Sequence, residues 1–457
     1  MRAFTASILA VLLLSYVKYS LQSYVYWSTN HNYLPMRPRR STDRVVSQYT
    51  RNSVAIVMAG GRGKRLMQLT DNRAKPATPF GGKYRIIDFS LSNCVNSGIR
   101  RIFILTQYKA HSLIQHVHRG WGYLHGELDE FVDILPAQQQ HGEWWYRGTA
   151  DAVFQNADIV ERHRPDTVLV LAGDHVYKMD YGPLIAAHKD SGADITVGGV
   201  QVPLRDASEF GVMRIDDDNR VIAFDEKPKD PAPMPGREGI ALASMGIYVV
   251  ATDYLRQVLE ADARDPDSAH DFGRNILPHA VDNNNVFAYP FEDVETKAQR
   301  YWRDVGTVDA YYSANMELVH VSPELNLYDE SWPIWTYQMQ VPCAKFVLDD
   351  TGRRGTAINS MVAGGCIVSG ASVRESLLSS NVVIDECSTV FRSVVLPDVE
   401  IGKNCYIANA IVDEGCSIPH GTVIGMSADE DCRRFHVTDN GIVLVTREML
   451  SAASLVA

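Results

Sequence analysis

After Pro342 apolar residues recur at every sixth position, and few folds accept that spacing. Ile367 and Val373 open the pattern, Leu378, Ile384 and Val390 continue it, and a five-residue step leads to Val395, Ile401 and Ile407. Another such step leads to Val412, Ile418 and Ile424, with glycine and small polar residues filling the gaps. A helix repeats its buried face every 3.6 residues and a strand every second one, so neither explains the spacing. A chain wound into stacked coils, with six residues to a side, does. The pattern predicts a left-handed parallel β-helix, which with its linker occupies residues 331–457. Such a prism exposes its coils and commonly mediates oligomer contacts.

Ahead of it the texture is different. From Ser53 to about Val250 short apolar runs alternate with helix-like segments. Val54–Ala59, Ile102–Leu105, Val168–Leu171, Ile195–Val197 and Ile247–Val250 read as strands, being short and rich in β-branched residues. Asp88–Ser97, Ala110–Val117 and Thr149–His163 read as helices, the last with Thr149 as its N-cap. This alternation implies an α/β domain over residues 53–330, Rossmann-like, with a mostly parallel sheet and ligands at the carboxyl ends of its strands. Arg214–Lys229 reads as a hairpin turning on Asp217, Asp218 and Asn219, with Asp216–Asp218 as a solvated turn rather than a metal site.

At 457 residues the chain has room for two or three domains. Hydrophobic residues at 46% and charged residues at 22% are ordinary for a globular protein. A formal net charge of −11 argues against general nucleic-acid binding. The seven cysteines never form C-x-x-C, which points to reduced thiols and a cytoplasmic protein. Residues 1–52 stand apart as an extension. The apolar stretch Ile8–Tyr16 follows Arg2, and no acidic residue precedes Asp43. It is short for a membrane span and lacks a clean cleavage site, leaving a transit peptide or an over-extended start with Met36 as initiator. On either reading residues 1–35 are expected to be dispensable for fold and activity.

The chemistry concentrates in Ser53–Pro76, SVAIVMAGGRGKRLMQLTDNRAKP. A buried strand ends in Gly60, Gly61 and Gly63, which bare backbone N–H groups to an approaching anion. Lys64, Arg65, Arg73 and Lys75 follow and can neutralise phosphate charge. The competing reading is a tight βα turn with a solvated basic face. A dinucleotide fingerprint would need glycine where Leu66 stands, and a P-loop would need Ser or Thr where Arg65 stands.

Further along, LVLAGDH carries Asp174 out of a strand, a position suited to a Mg²⁺ ligand. Asp304, in YWRDVGT, is a second candidate, or else an ion-pair partner of Arg303. Lys227, in FDEKP, suits a sugar phosphate and Glu226 its hydroxyls, although lysines beside prolines are commonly surface residues. His270-Asp271-Phe272-Gly273 contains a kinase-like triplet, but no His-Arg-Asp and no kinase glycine loop accompany it. His116 and His118 lie two residues apart, on different helix faces, which disfavours metal ligation.

Taken together, GGRGKRL with AKP, AGDH, FDEKP, ASMGIY and YWRDVGT, followed by hexapeptide coils, resemble the bacterial glycogen-forming ADP-glucose pyrophosphorylases (glucose-1-phosphate adenylyltransferases). The resemblance runs from about Ser53 to Leu450. It implies transfer of AMP from ATP to glucose 1-phosphate, with Mg²⁺ on Asp174 and Asp304. It also implies that Arg65 and Lys75 hold the ATP phosphates, and that Gly148 and Thr149 open a helix near the nucleotide. Tyr146, Gly211, Glu226, Lys227 and Ser244 match positions that bind glucose 1-phosphate. Gln107 and Trp145 match loops that couple regulation to catalysis, and Arg73, Arg85, Arg433 and Arg434 match basic residues of the activator site.

A sugar-phosphate activator, a nucleotide or phosphate inhibitor and a homotetramer are implied as well. Asn72 stands where the fructose-bisphosphate-activated type has lysine, so the expected activator is fructose 6-phosphate. The alternatives are a UDP-glucose- or GDP-mannose-forming relative, or a catalytically silent regulatory subunit. A hexapeptide acyltransferase would need a catalytic histidine in the coils, and no signal for one is seen.

Overall fold

The computed structural model describes residues 41–139, 143–283, 285–293, 296 and 298–456. The expectations for residues 1–35 and for a start at Met36 lie outside the described residues. The described chain opens with the helix Ser41–Arg51. Val46–Ala457 forms a single compact unit that contains both the α/β domain and the prism.

The central sheet contains β1 (Ser53–Met58), β2 (Arg101–Thr106), β3 (Phe131–Pro136), β4 (Thr167–Ala172), β5 (Ile195–Pro203), β6 (Gly211–Ile215), β7 (Val221–Glu226), β8 (Ile240–Ala251) and β9 (Val286–Pro290). Strands β3, β2, β1 and β4 lie side by side and parallel. Strand β8 then runs antiparallel between β4 and β5, and β9 is parallel to β5 at the edge. The apolar runs are continuous because both faces are covered. Ala55, Val57, Ile102, Ile104, Leu169 and Leu171 enter one core, while Val54, Ile56, Phe103, Leu105, Val168 and Val170 enter the other. Connections run outward from β1 to β2 and β3, then cross back to β4. The sheet's topological switch point therefore falls between β1 and β4, where open α/β sheets bind ligands.

Two of the three expected helices appear with shifted ends, α1 at Ile87–Asn96 and another at His111–Gly120. The third is corrected. Thr149–His163 is two helices, α2 (Thr149–Phe154) and Ala157–Glu161, separated where Asn156 leaves helical geometry at φ −116° and ψ 9°. Thr149 is not the N-cap; extended Gly148 takes that place, and the Thr149 hydroxyl turns to another segment. Later comes α3 (Thr252–Arg264). The hairpin is β6–β7, with left-handed Asn219 in its turn and Asp216 Oδ1 accepting from the amides of Asp218 and Arg220.

The prism has three parallel sheets. Val368, Ile384, Ile401 and Ile418 stack on one side, Val373, Val390, Ile407 and Ile424 on the second, and Leu378, Val395, Val412 and Val445 on the third. All of these are buried in its axis. One expectation fails: Ile367 is 38% exposed, and its neighbour Val368 faces inward instead. Alternation in a strand lets only one of two adjacent apolar residues enter the prism, and the six-residue rule chose the wrong one.

On the third side the outward residues are also apolar. Leu377, Val394, Ile411 and Leu444 pack with Leu66, Phe80, Ile86 and Tyr311 of the α/β domain. Full burial of such a side chain contributes roughly 1.5–3 kcal/mol, so this shared core joins the two parts firmly. The preceding segment is tied down as well, since Trp332 Nε1 donates to Asn93 and Trp335 Nε1 to Asn96 on α1.

Candidate active site

Strands β1 and β4 deliver their ends to the switch point. Beyond β1 the chain enters Gly60-Gly61, and beyond β4 it reaches Asp174. A two-stranded ribbon, His175–Tyr177 against Trp302–Asp304, sets Asp304 opposite His175 and so beside Asp174. Lys75 lies between the two carboxylates, its Nζ 3.0 Å from Asp174 Oδ2 and 2.8 Å from Asp304 Oδ1. Gly63 makes that approach possible. It sits at φ 66°, and a Cβ there would come within 2.9 Å of the Lys75 Cβ.

Burial alone would favour a neutral Lys75, but Asp174 and Asp304 outweigh it and hold its pKa above the ordinary lysine value. At Asp174 burial pushes the carboxyl up, while Lys75 and His175 pull harder and hold it well below the usual carboxylate range. The Asp174 side chain is still 35% exposed, against 6% for Lys75, so its carboxylate is the one that reaches solvent. Arg65 bridges outward, with Nη1 2.6 Å from Glu209 Oε2 and Nη2 3.4 Å from Asp304 Oδ2. Arg303 is not the partner of Asp304; it pairs with Glu317 at 3.2 Å and Glu324 at 3.8 Å. Three carboxylates thus face Arg65 and Lys75, with His175 Nε2 3.5 Å from Asp174 Oδ1.

Beside it opens a cleft of about 360 Å³ lined by Gly60, Gly61, Gln107, Tyr146, Gly148, Thr149, Asp174 and Asp271, among others. No atom occupies the space where a side chain on Gly61 would stand. Gln107 Oε1 accepts from the Tyr146 amide at 2.9 Å and ties the neighbouring Trp145, 56% exposed, to the cleft rim. The Tyr146 hydroxyl accepts from Asn156 at 2.9 Å.

Gly211, Glu226, Lys227 and Ser244 gather on the β6–β8 side. Gly211 pairs with Glu226 across the ladder, and the Phe224 ring and the Glu226 carboxylate fill the space a Cβ would need. Burial raises the Glu226 pKa against the pull of Lys227. Lys227 is left-handed at φ 50°, half exposed, and its Nζ lies 4.0 Å from Glu226 Oε1. Ser244 Oγ accepts from the Gly246 amide at 3.2 Å, at the irregularity in the β8–β5 pairing. Tyr146 stands apart from these four, on the cleft rim.

The residue that sequence reasoning missed is Asp271. It was set aside with its kinase-like triplet, yet it lines the cleft, accepts from Thr149 Oγ1 at 3.0 Å, and caps the turn at Phe272–Ile276 through the amides of Gly273 and Arg274. An aspartate just before a helical turn was the available signal.

The four arginines matched to the activator site have different surroundings. Arg73 is buried, bidentate to Asp413 at 2.9 and 3.4 Å, and within 3.5 Å of Glu414. Arg85 donates to the Ala77 carbonyl, and burial lowers its pKa. Arg434 donates to the Val423 carbonyl and to Asp431, while Arg433 is exposed.

A switch-point cleft with a glycine loop and an Asp–Lys–Asp cluster, fused to a hexapeptide prism, defines an enzyme that handles nucleotides and phosphorylated sugars. The family described as nucleotidyl transferase matches residues 54–320, and that described as GlmU-like, C-terminal hexapeptide, matches residues 342–445. The chain is 58% identical over 410 residues to the glucose-1-phosphate adenylyltransferase of Methylococcus capsulatus, spanning 90% of this chain and 97% of that protein. It is 59% identical over 407 residues to glucose-1-phosphate adenylyltransferase 2 of Alkalilimnicola ehrlichii, spanning 89% and 96%. The Nitrosococcus oceani glucose-1-phosphate adenylyltransferase is 58% identical over 408 residues. The chain therefore belongs to the nucleotidyl transferases and, within them, to the glucose-1-phosphate adenylyltransferase family.

Proposed function

We propose that the enzyme transfers the adenylyl group of ATP to α-D-glucose 1-phosphate, releasing pyrophosphate and forming ADP-glucose, the regulated committed step toward an α-1,4-glucan. The observation that carries this reading is the 56–59% identity to adenylyltransferases of that name over about nine-tenths of the chain, together with the cleft at the switch point.

The sugar phosphate is already ionised, so its oxygen can attack the α-phosphorus without a strong general base. The obstacle is bringing two anions together and carrying the charge that leaves as pyrophosphate. Alignment and neutralisation therefore supply the catalysis. Arg65, half exposed, and the bared amides of Gly60 and Gly61 serve the polyphosphate. Lys75 stays protonated and holds the two aspartates in register. Lys227 serves the sugar phosphate and Glu226 its hydroxyls. The Asp174–Asp304 pair suits Mg²⁺: its oxygens are hard and they converge on one Nζ. When bound, the ion would supply charge stabilisation to the phosphates.

Control by a sugar phosphate, with fructose 6-phosphate preferred over fructose 1,6-bisphosphate, is part of the proposal, as are a nucleotide or phosphate inhibitor, a homotetramer and a cytoplasmic location. Asn72 supports the choice of activator, since it brings no charge and its amide bonds to Glu448 at 3.2 Å. Among the described residues no helix is long and apolar enough to cross a membrane. The test is pyrophosphate release from each NTP with glucose 1-phosphate and Mg²⁺. ATP is expected to win clearly, and a preference for UTP, dTTP or GTP would overturn the nucleotide assignment.

A further inference from the structure

The His-Asp-Phe-Gly segment sits between the nucleotide side and the sugar side of the site, and the side chain that holds it in place points away from both, toward α3. His270 is 4% exposed and left-handed at φ 53°, a conformation that costs a β-carbon-bearing residue energy and persists only where its surroundings enforce it. Two neighbours do so. Its Nδ1 lies 2.8 Å from Asp262 Oδ2 on α3, and its amide donates to Ser268 Oγ at 2.9 Å. Ser268 in turn donates to the other Asp262 oxygen at 2.6 Å, so one buried carboxylate fixes both residues.

What this anchor presents is backbone. The His270 carbonyl accepts from the Ala150 amide at 2.8 Å, in the first turn of α2. The carbonyls of Ala269 and His270 press so close to Gly148 that no Cβ fits there. Next in the chain, Asp271 accepts from Thr149 Oγ1 at 3.0 Å, and the Phe272 amide donates back to that oxygen at 2.9 Å. The same turn then faces the sugar side. Gly273 packs on the Glu226 carboxylate, and the Phe272 ring stacks on Tyr248 at 5.5 Å and 15°. Residues 268–273 therefore link Gly148 and Thr149 to Glu226.

We infer that His270, locked by Asp262, is a positioning residue that sets the nucleotide side of the cleft relative to the sugar side. The inference rests on the adenylyl-transfer reading above. It predicts that loosening this anchor weakens the mutual dependence of the two substrates, beyond any loss of binding at one of them.

Three variants separate the possibilities. His270→Asn keeps a nitrogen donor near the Nδ1 position and tolerates the left-handed backbone. His270→Gly keeps the backbone free but removes the donor, and Asp262→Asn alters the partner without changing its shape. Each full-length protein is assayed for kcat, both KM values and thermal midpoint. The Kd of glucose 1-phosphate is also measured with and without a saturating non-hydrolysable ATP analogue.

His270→Gly and Asp262→Asn are expected to lower kcat about 10- to 100-fold and to abolish the analogue's effect on sugar-phosphate Kd. His270→Asn should stay within about threefold of the parent in kcat and keep that effect. The proposal is overturned if His270→Gly keeps the coupling, or if His270→Asn loses as much as His270→Gly. It is also overturned if the parent shows no coupling. Should His270→Gly not fold, Asp262→Asn decides by the same criteria. Failure of the parent itself to use ATP would defeat the adenylyl-transfer reading and is visible before any variant is made.

Discussion

The prism and the α/β domain use the same uncommon backbone conformation for different ends. In the prism, left-handed residues occur in columns: Gly365, Asn381, Asp398 and Gly415 at one corner, Gly370, Cys387, Asn404 and Gly421 at the next, and Asn359, Glu375, Arg392, Asn409 and Gly425 at the third. Each column repeats once per coil, and its side chains range from asparagine to arginine. In the α/β domain left-handed residues form no such columns, and Met67, Lys227 and His270 fall on the glycine loop or on the segments around the cleft. Where the strain recurs, stacked neighbours share it and it makes corners. Where it occurs once, as at His270, local contacts hold it, and there those contacts belong to the site.

The seam between the two regions should give the largest effect when broken. Arg73→Ala leaves Asp413 buried and unpaired, and denaturant unfolding should show a loss of about 3–5 kcal/mol. Replacing both partners by apolar residues should recover much of it. If the single variant costs under about 1 kcal/mol, the pair does not join the regions.

Acid should next tell the two halves apart. His188 is buried against Thr196 of β5 at 3.0 Å, and burial, with Lys189 nearby, lowers its pKa to about 4 from 6.5. Between those values the unfolded chain holds more proton. Stability should thus fall as pH drops from about 6.5 toward 4, by up to about 3 kcal/mol, and be unaffected above that window. His188→Gln should remove this slope, and its persistence would assign acid sensitivity elsewhere.

Within the site, Asp174→Ala should lower kcat about 100-fold or more, while Lys227→Ala should chiefly raise the glucose 1-phosphate KM about 10- to 100-fold. Steady-state kinetics that show both acting on kcat alone would contradict their separate roles. The smallest effect belongs to a prism corner. Arg392→Gly relieves a left-handed residue but loosens the unfolded chain, so stability should move by under about 1 kcal/mol and kcat not at all. A large loss there would show that a repeated corner can carry function too.

These regions also differed in how much of them could be read from sequence. The prism announced itself through period from Ile367 to Ile424; the choice between Ile367 and Val368 went astray, and the first coil and the Val443–Val445 strand lie outside that repeat. Core strands were visible because β-branched runs are local signals. Strands β3 and β9 were not, since Phe131–Pro136 and Val286–Pro290 carry weaker patterns and sit at sheet edges. The ribbon that joins Asp174 to Asp304 links segments more than a hundred residues apart, so no local pattern could reveal it. Lys75 was expected on a phosphate; its burial between two aspartates depends on that same long-range pairing. Thr149 has the chemistry of a cap, but its hydroxyl was claimed by Asp271 and Phe272.

A stack of coils has no inherent length. Each exposed end presents a row of backbone groups on which another strand could be laid, so an open end is a site for growth into fibres. At the C-terminal end that addition is obstructed. After Ile424 the chain leaves the coil for the helix α4 (Ala428–Arg434), which turns back onto it as Arg434 donates to the Val423 carbonyl and Asp431 accepts from the Gly425 amide. Phe435 closes over the axis, with Val437, Met449 and Leu450 packed around the same core. Strand Val443–Val445 then extends the third sheet, and His436–Val437 pairs antiparallel on its outer edge, so the outermost strand there breaks the parallel repeat. A second prism meeting that end would find a helix and a bulky ring in place of a matching rung, so the fold carries its own chain terminator.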